Sequence, residues 1–303
     1  MEEVRFDGKV AVVTGAGGGL GKAYALLLAE RGAKVVVNDL GGTFDGSGAD
    51  ATPAQLVVDE ITKSGGEAIA NYDSVAEWDS ANNIIKTALD HYGRIDILIN
   101  NAGILRDKSI LKMEMDDYRK IMAVHLDGTF FCTKAAFAVM KEQTYGRIVS
   151  TASAAGLYGN FGQTNYGAAK MGIVGLMNCV AQEGARYDIK ANTIVPTAGT
   201  RLTFTVMPEE VIGKVKPEYV APIVAWLCSE QCKVSGKMFS AGGGYFSRAA
   251  VVEGPGVVFD ADQEIAVEMI MENLDQIMSL EKSSEFASAM EQAGTVLSKM
   301  AAK

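Results

Sequence analysis

Short, continuously apolar runs alternate with stretches of helical spacing along most of the chain. The run Lys9-Val10-Ala11-Val12-Val13-Thr14 is β-branched and ends in glycines. Residues 19–31 then place Leu20, Tyr24, Leu27 and Leu28 at a helical period. Further strands are predicted at 33–39, 67–71, 95–100, 147–151, 189–195 and 237–241, and helices at 53–64, 76–91, 114–140, 164–187 and 217–228. Most of the strands are apolar at successive positions, as in Val35-Val36-Val37 and Ile97-Leu98-Ile99, rather than at alternate ones. That is the pattern of strands covered by helices on both faces, so the predicted fold class is α/β, a doubly wound parallel sheet of about seven strands.

The alternation continues without a linker-like break to residue 247. Residues 1–247 therefore read as one domain and 248–303 as a C-terminal helical extension, suited to packing or dimer contacts. In it, 261–274 and 282–300 have amphipathic spacing rich in Met and Ala. With 303 residues, 48% of them hydrophobic and 21% charged, the chain has ample material for a packed core. Lys and Arg total 28 against 37 Asp and Glu, a net charge of -9. Such a field repels phosphate backbones and anionic membrane surfaces, so neither nucleic acid nor membrane is an expected partner. The N-terminus lacks the apolar core of a signal peptide, and no apolar run is long enough to span a bilayer. The four cysteines are scattered, as expected of reduced thiols, and Cys228 and Cys232 have only His91 and His125 as distant imidazoles, so no metal site is expected.

Two groups of residues carry candidate chemistry. The first is Thr14-Gly15-Ala16-Gly17-Gly18-Gly19-Leu20-Gly21, where the first strand turns into the first helix. Glycines let the backbone approach a pyrophosphate, and a helix N-terminus offers free N–H groups and a positive dipole end to it. Read alone, a cluster of glycines is as often only a tight turn. The second strand, however, ends at Asp39, placed to accept hydrogen bonds from a ribose. A carboxylate there repels the extra phosphate of NADP, and no Arg adjoins it, which favours NAD.

The second group is Ser153, Tyr166 and Lys170. Tyr166 and Lys170 are four residues apart and share one helix face, while Ser153 follows a strand. A phenol ordinarily titrates near 10, too high for efficient proton exchange at neutral pH, and a neighbouring ammonium favours the phenolate. Tyr166 then serves as acid or base, Ser153 holds the substrate oxygen and Lys170 reaches the nicotinamide ribose. By itself a Tyr and Lys pair at this spacing is usually an ordinary surface pair.

Taken together these residues resemble the short-chain dehydrogenase/reductase family over roughly residues 6–245. The matching segments are TGAGGGLG at 14–21, Asp73-Ser74-Val75, Asn100-Asn101-Ala102-Gly103, Ser153, YGAAK at 166–170 and Pro196-Thr197-Ala198-Gly199-Thr200. The resemblance implies a Rossmann sheet that binds a dinucleotide. Gly15, Gly19, Leu20, Gly21 and Asp39 meet it first, Asp73, Ser74 and Val75 border the adenine, Asn101, Ala102 and Gly103 line it, and Ala198, Gly199 and Thr200 meet the nicotinamide end. One position departs from the family pattern. An Asn that commonly completes a Ser, Tyr, Lys, Asn proton relay is replaced by His125, which either transfers protons itself or simply packs there.

Within the family, Asn38-Asp39-Leu40-Gly41-Gly42, the loop 41–53, Asn71-Tyr72-Asp73-Ser74-Val75, 101–107, 156–163 and Val206-Met207-Pro208-Glu209 are similar to the (3R)-hydroxyacyl-CoA dehydrogenase unit of multifunctional peroxisomal enzymes. The expected activity is NAD-dependent oxidation of the 3-hydroxyl of an acyl-CoA of this kind, by a homodimer. The compartment follows the source: cytoplasmic for a bacterial protein, peroxisomal for a domain excised from a eukaryotic one. The rivals are a 3-oxoacyl thioester reductase, a steroid alcohol dehydrogenase, and a non-catalytic NAD-sensing or scaffold protein. Arg106, Lys108 and Lys112 are either contacts for CoA phosphates or merely solvated.

Overall fold

The short runs, richest in Val and Ile at β1, β2 and β4, become the parallel strands β1 (Val10–Thr14), β2 (Lys34–Asn38), β3 (Glu67–Asn71), β4 (Ile97–Asn100), β5 (Gly146–Thr151), β6 (Ile189–Pro196) and β7 (Met238–Gly242). The structure is a computed structural model and describes residues 3–200, 209–260 and 262–301. Strand order is β3-β2-β1-β4-β5-β6-β7-β8, where β8 (Tyr245–Ala249) is an edge strand that the pattern reading does not include. Positive φ angles of 57° and 84° at Gly243 and Gly244 form the turn between β7 and β8, a conformation glycine adopts without strain. The expected doubly wound parallel sheet is present, with eight strands rather than about seven.

Helices α1 (Gly19–Glu30), α2 (Thr52–Lys63), α3 (Trp78–Tyr92), α4 (Met115–Met122), α5 (Gly128–Gln143), α6 (Ala154–Tyr158), α7 (Thr164–Gly184), α8 (Glu209–Ile212) and α9 (Ala221–Cys228) connect the strands. Successive strand residues feed two cores. Ala11, Val13, Val35, Val37, Ile97 and Ile99 pack towards α1, α2 and α9. Val10, Val12, Val36, Leu98 and Ile148 pack towards α3, α5 and α7. These successive positions are apolar because neither face of the inner strands sees water.

The single helix expected over 114–140 is broken into α4 and α5 by a π turn at Ala123–Asp127, centred on His125. One wide turn hardly disturbs the apolar spacing, so the periodicity passes straight through it. The turn is held by a long-range contact, His125 Nε2 against the Ile104 backbone, and by a local one, Thr129 Oγ1 donating to the His125 carbonyl at 2.6 Å. A Cβ added at Gly128 would lie 2.8 Å from Val75, which is why a side chain is not accommodated there.

Arg147 is among the largest fully buried side chains. Its guanidinium donates to the carbonyls of Ser229 (3.0 Å), Gly146 (2.9 Å) and Asp188 (2.6 Å), and pairs with the Asp188 carboxylate at 3.2 Å. Replacing it with Leu strands these buried acceptors. Arg147→Leu is expected to lose about 2–4 kcal/mol in denaturant unfolding, and a loss below about 0.5 kcal/mol, the ordinary surface value, would contradict this role.

The chain folds as two compact units, Met1–Arg248 and Ala249–Lys303. The second contains α10 (Val267–Glu272), α11 (Leu274–Met278) and α12 (Ala289–Ala301), shorter than the two helices expected from spacing. Its last helix starts late because Ser288 and Glu291 cap it: Glu291 N donates to Ser288 Oγ, and Glu291 Oε2 accepts from Ala287 N at 2.6 Å. No described residue of this unit is buried.

Candidate active site

The parallel register aligns strand ends, pairing Thr14 with Asn38, Asn38 with Asn71, and Asn100 with Ser150. Candidate residues that lie far apart in sequence thus gather at the C-terminal ends of the strands. That is where the strand order reverses between β1 and β4, the position at which open α/β sheets leave a ligand crevice.

The glycine-rich turn has two roles. Gly15 and Gly21 are needed for packing, since an added Cβ would meet Ala102 Cα at 2.7 Å in the first case and run into the Gly15 carbonyl in the second. Gly18 faces open space and caps α1, whose first turn has neither a side-chain cap nor an acidic residue. Its N–H groups are therefore available to an anion. Asp39 is buried, and its carboxylate accepts from Gly17 N (2.8 Å) and Gly41 N (2.7 Å). Two fixed bonds hold a negative charge beside the turn.

Asn101 clamps this turn with its own side chain. Its Nδ2 donates to the carbonyls of Thr14 and Gly15, both at 3.1 Å, while Thr14 Oγ1 accepts from the N–H groups of Asn101 and Ala102. Asn71 Nδ2 donates to Asp73 Oδ2 at 2.8 Å, Ser74 Oγ accepts from Ala76 N, and Val75 packs in the core. A Cβ at Gly19 would meet Thr200 at 3.3 Å, so the segment Ala198, Gly199 and Thr200 also borders the glycine turn. Residues 206–208 of the expected Val206-Met207-Pro208-Glu209 motif lie outside the described residues.

Ser153, Tyr166 and Lys170 come together across α6 and α7. Ser153 caps α6, with its Oγ accepting from Ala155 N at 3.2 Å, and it shares a hydrogen bond with the Tyr166 phenol. Gly156 lets α6 approach, since a Cβ there would sit 2.9 Å from Lys170 Cβ. Lys170 Nζ donates to the Thr151 carbonyl at 2.6 Å and lies 5.5 Å from the Tyr166 ring centre. Asn165, which sequence reasoning passed over, is fully buried: its Oδ1 accepts from Tyr166 N at 2.7 Å and its Nδ2 donates to the Arg106 carbonyl at 3.0 Å. Its place directly before the Tyr was the available signal.

Burial governs the charges here. It pushes the Tyr166 phenol up to about 12, against the pull of the Ser153 hydrogen bond, and brings the Lys170 ammonium down to about 7. Desolvation thus outweighs the expected lowering of the phenol by the ammonium. Since the folded pKa of Lys170 lies below its unfolded value, the unfolded chain binds the extra proton, and this destabilises the fold in full below pH 7 and fades as pH rises towards 10.5. Lys170→Met is therefore expected to gain melting temperature relative to wild type most strongly near and below pH 7, with the difference shrinking towards pH 10. Calorimetry without added cofactor measures it, and a difference that grows with pH would contradict the assignment.

Arg106 and Lys108 are neither free nor simply solvated. Both pair with Asp117, at 2.9 and 2.7 Å, and Arg106 Nε donates to the Asp45 carbonyl. Lys112 is exposed. The segment 107–113 is joined to the start of α7 by the Lys108 to Gln163 bridge and by Gln163 Nε2 donating to Asp107 Oδ2 at 2.6 Å. Leu111 in this segment, Tyr158 at the end of α6 and Phe161 just before α7 stand exposed. Among the described residues, no group of three His, Cys, Asp or Glu side chains is placed to hold a metal, and no helix is long and apolar enough to cross a membrane.

The order of strands, the glycine turn and the Ser, Tyr and Lys cluster are the features of a Rossmann-type oxidoreductase. Residues 9–209 match the short chain dehydrogenase family, and the chain belongs to that family. It is similar to peroxisomal multifunctional enzyme type 2 of Drosophila melanogaster, at 48% identity over 97% of this chain and 49% of that protein. The solved structure of that full-length enzyme superimposes with a TM-score of 0.83 at 42% identity, covering 99% of this chain and 50% of the other. The chain thus spans about half of that relative. A putative short-chain type dehydrogenase/reductase of Mycobacterium tuberculosis is 53% identical over 83% of this chain and 88% of its own length. A 7α-hydroxysteroid dehydrogenase, solved with NADH and 7-oxo glycochenodeoxycholic acid, has a TM-score of 0.71 at 30% identity, covering 79% of this chain and 95% of its own.

Proposed function

We propose that the protein is an NAD-dependent dehydrogenase that oxidises the 3-hydroxyl of a (3R)-hydroxyacyl-CoA to the ketone. The observation that carries the reading is the convergence of the open α1 N-terminus, the fixed Asp39 carboxylate and the Ser153, Tyr166 and Lys170 cluster at the same ends of the strands. The residues fit the cofactor. Uncapped N–H groups beside Gly18 suit a pyrophosphate, and Asp39 retains lone pairs for ribose hydroxyls while its charge opposes a phosphate.

Bound NAD supplies the hydride acceptor for the carbinol carbon. The chain's residues do the remainder. Ser153 holds the substrate oxygen, the Tyr166 phenolate removes the hydroxyl proton, and Lys170, tied to the Thr151 carbonyl, orients the ribose. For Tyr166 to act near neutral pH, its phenol must come down from about 12, and the positive nicotinamide ring of bound NAD would favour the phenolate. The exposed apolar side chains Leu111, Tyr158 and Phe161, on the segments either side of the Lys108 to Gln163 bridge, suit an acyl chain. The similarity to multifunctional enzyme type 2 over 97% of this chain supports the acyl-CoA class, and the homodimer implied by the same resemblance belongs to this proposal.

Turnover on a hydroxyacyl-CoA, the same acyl group on a carrier protein, and a steroid alcohol tests the substrate class. The CoA thioester is expected to give the highest kcat/KM. A preference for either rival would replace this reading with that rival's.

A further inference from the structure

His125 is 2% exposed at the centre of the π turn, in contact with three parts of the site. Below it lies Gly103, where an added Cβ would fall 2.5 Å from the imidazole Cε1. Its Nε2 lies 3.1 Å from the Ile104 N–H nitrogen and 2.8 Å from the Ile104 carbonyl oxygen. The ring meets Tyr166 edge to face, with centres 5.1 Å apart at 89°. Its Nδ1 is buried and has no hydrogen-bond partner among the described residues.

A proton relay through an imidazole takes a proton at one nitrogen and releases one at the other. Here Nε2 faces only a peptide N–H and a peptide carbonyl, and neither exchanges protons at neutral pH. A proton arriving at Nδ1 therefore has no exit. Burial, with the nearby positive charge of Lys170, also keeps the ring neutral. We infer that His125 is a positioning residue rather than a proton-transfer group: its imidazole is a wedge that fixes the Gly103–Ile104 backbone against the Tyr166 ring, and so sets the phenol relative to the cofactor-lining segment. This rests on the dehydrogenase reading above. It goes beyond that reading in resolving what the ring does at a position where the family commonly has Asn.

The test compares His125→Ala, His125→Gln and Gly103→Ala in the full chain, on whichever secondary alcohol the wild-type protein oxidises with NAD. Failure on acyl-CoA alone would thus count against the substrate proposal, not against this one. Gln brings a carboxamide to about the place of Nε2, where its C=O and NH2 can serve the Ile104 N–H and carbonyl together, yet it cannot relay a proton as imidazole does. His125→Ala is expected to lower kcat roughly 10- to 100-fold through misplacement while changing KM little. His125→Gln is expected to recover most of that loss with the pH profile of wild type, and added imidazole to leave His125→Ala unrestored. Gly103→Ala is expected to cost more kcat in wild type than in the His125→Ala background, where the clash is gone. Restoration of His125→Ala by free imidazole, with His125→Gln as slow as Ala, would overturn the inference in favour of proton transfer. Full kcat in His125→Ala, or equal costs of Gly103→Ala in both backgrounds, would reduce the ring to inert packing. Should His125→Ala fail to fold, the pH profile and kcat of His125→Gln decide alone.

Discussion

Tyr166→Phe is expected to abolish turnover while NADH still binds. The substitution removes only the phenolic oxygen. The ring keeps its edge contact with His125 and its position through Tyr166 N, which donates to Asn165 Oδ1. What is lost is the group that takes the substrate proton, a contribution of roughly 10²–10⁴-fold in rate. Fluorescence titration with NADH and steady-state kcat read the two effects separately. A Phe enzyme within tenfold of wild type would remove Tyr166 from the chemistry. Loss of NADH binding together with turnover would show the side chain to be structural.

Asp39→Asn is expected to have the next largest effect, on cofactor choice. Asn keeps the shape of the side chain and an acceptor for the Gly17 or Gly41 N–H, but its neutral amide cannot make charge-assisted bonds to ribose hydroxyls. Bonds to charged groups contribute about 1.5–3 kcal/mol, so kcat/KM for NAD is expected to fall about 10- to 100-fold. Turnover with NADP is expected to rise as the repulsion disappears. Comparison of kcat/KM for both cofactors in both proteins checks this. An unchanged NAD to NADP ratio would mean that Asp39 serves only to brace the glycine turn.

The sheet and the end of it where the candidate residues gather were readable because their signals are local. A β-branched run followed by Gly15 to Gly21 states strand, turn and helix within a few residues, and Tyr166 and Lys170 share a face by helical period alone. The π turn left no such mark, because its cause is contact between His125 and Ile104, 21 residues away in sequence. The pairing of Arg106 and Lys108 with Asp117 depends on how the loop folds onto α4, so charge along the chain suggested solvent or phosphate instead. The sign of the Tyr166 shift also needed the fold. A Lys four residues away argues for a lowered phenol, but desolvation of both groups decides otherwise, and only the packing of α6 on α7 reveals it. The strand β8 carries no such local signal, because Tyr245-Phe246-Ser247-Arg248-Ala249 lies largely exposed at the sheet edge and lacks the continuous apolar run of the inner strands.

The most direct test of the whole account is NADH formation from NAD by the purified chain, given separately the (3R) and (3S) epimers of a 3-hydroxyacyl-CoA. The account predicts steady NADH production from the (3R) epimer and little from the (3S). Exclusive use of the (3S) epimer, or no NADH from either while NADH binds, would contradict it.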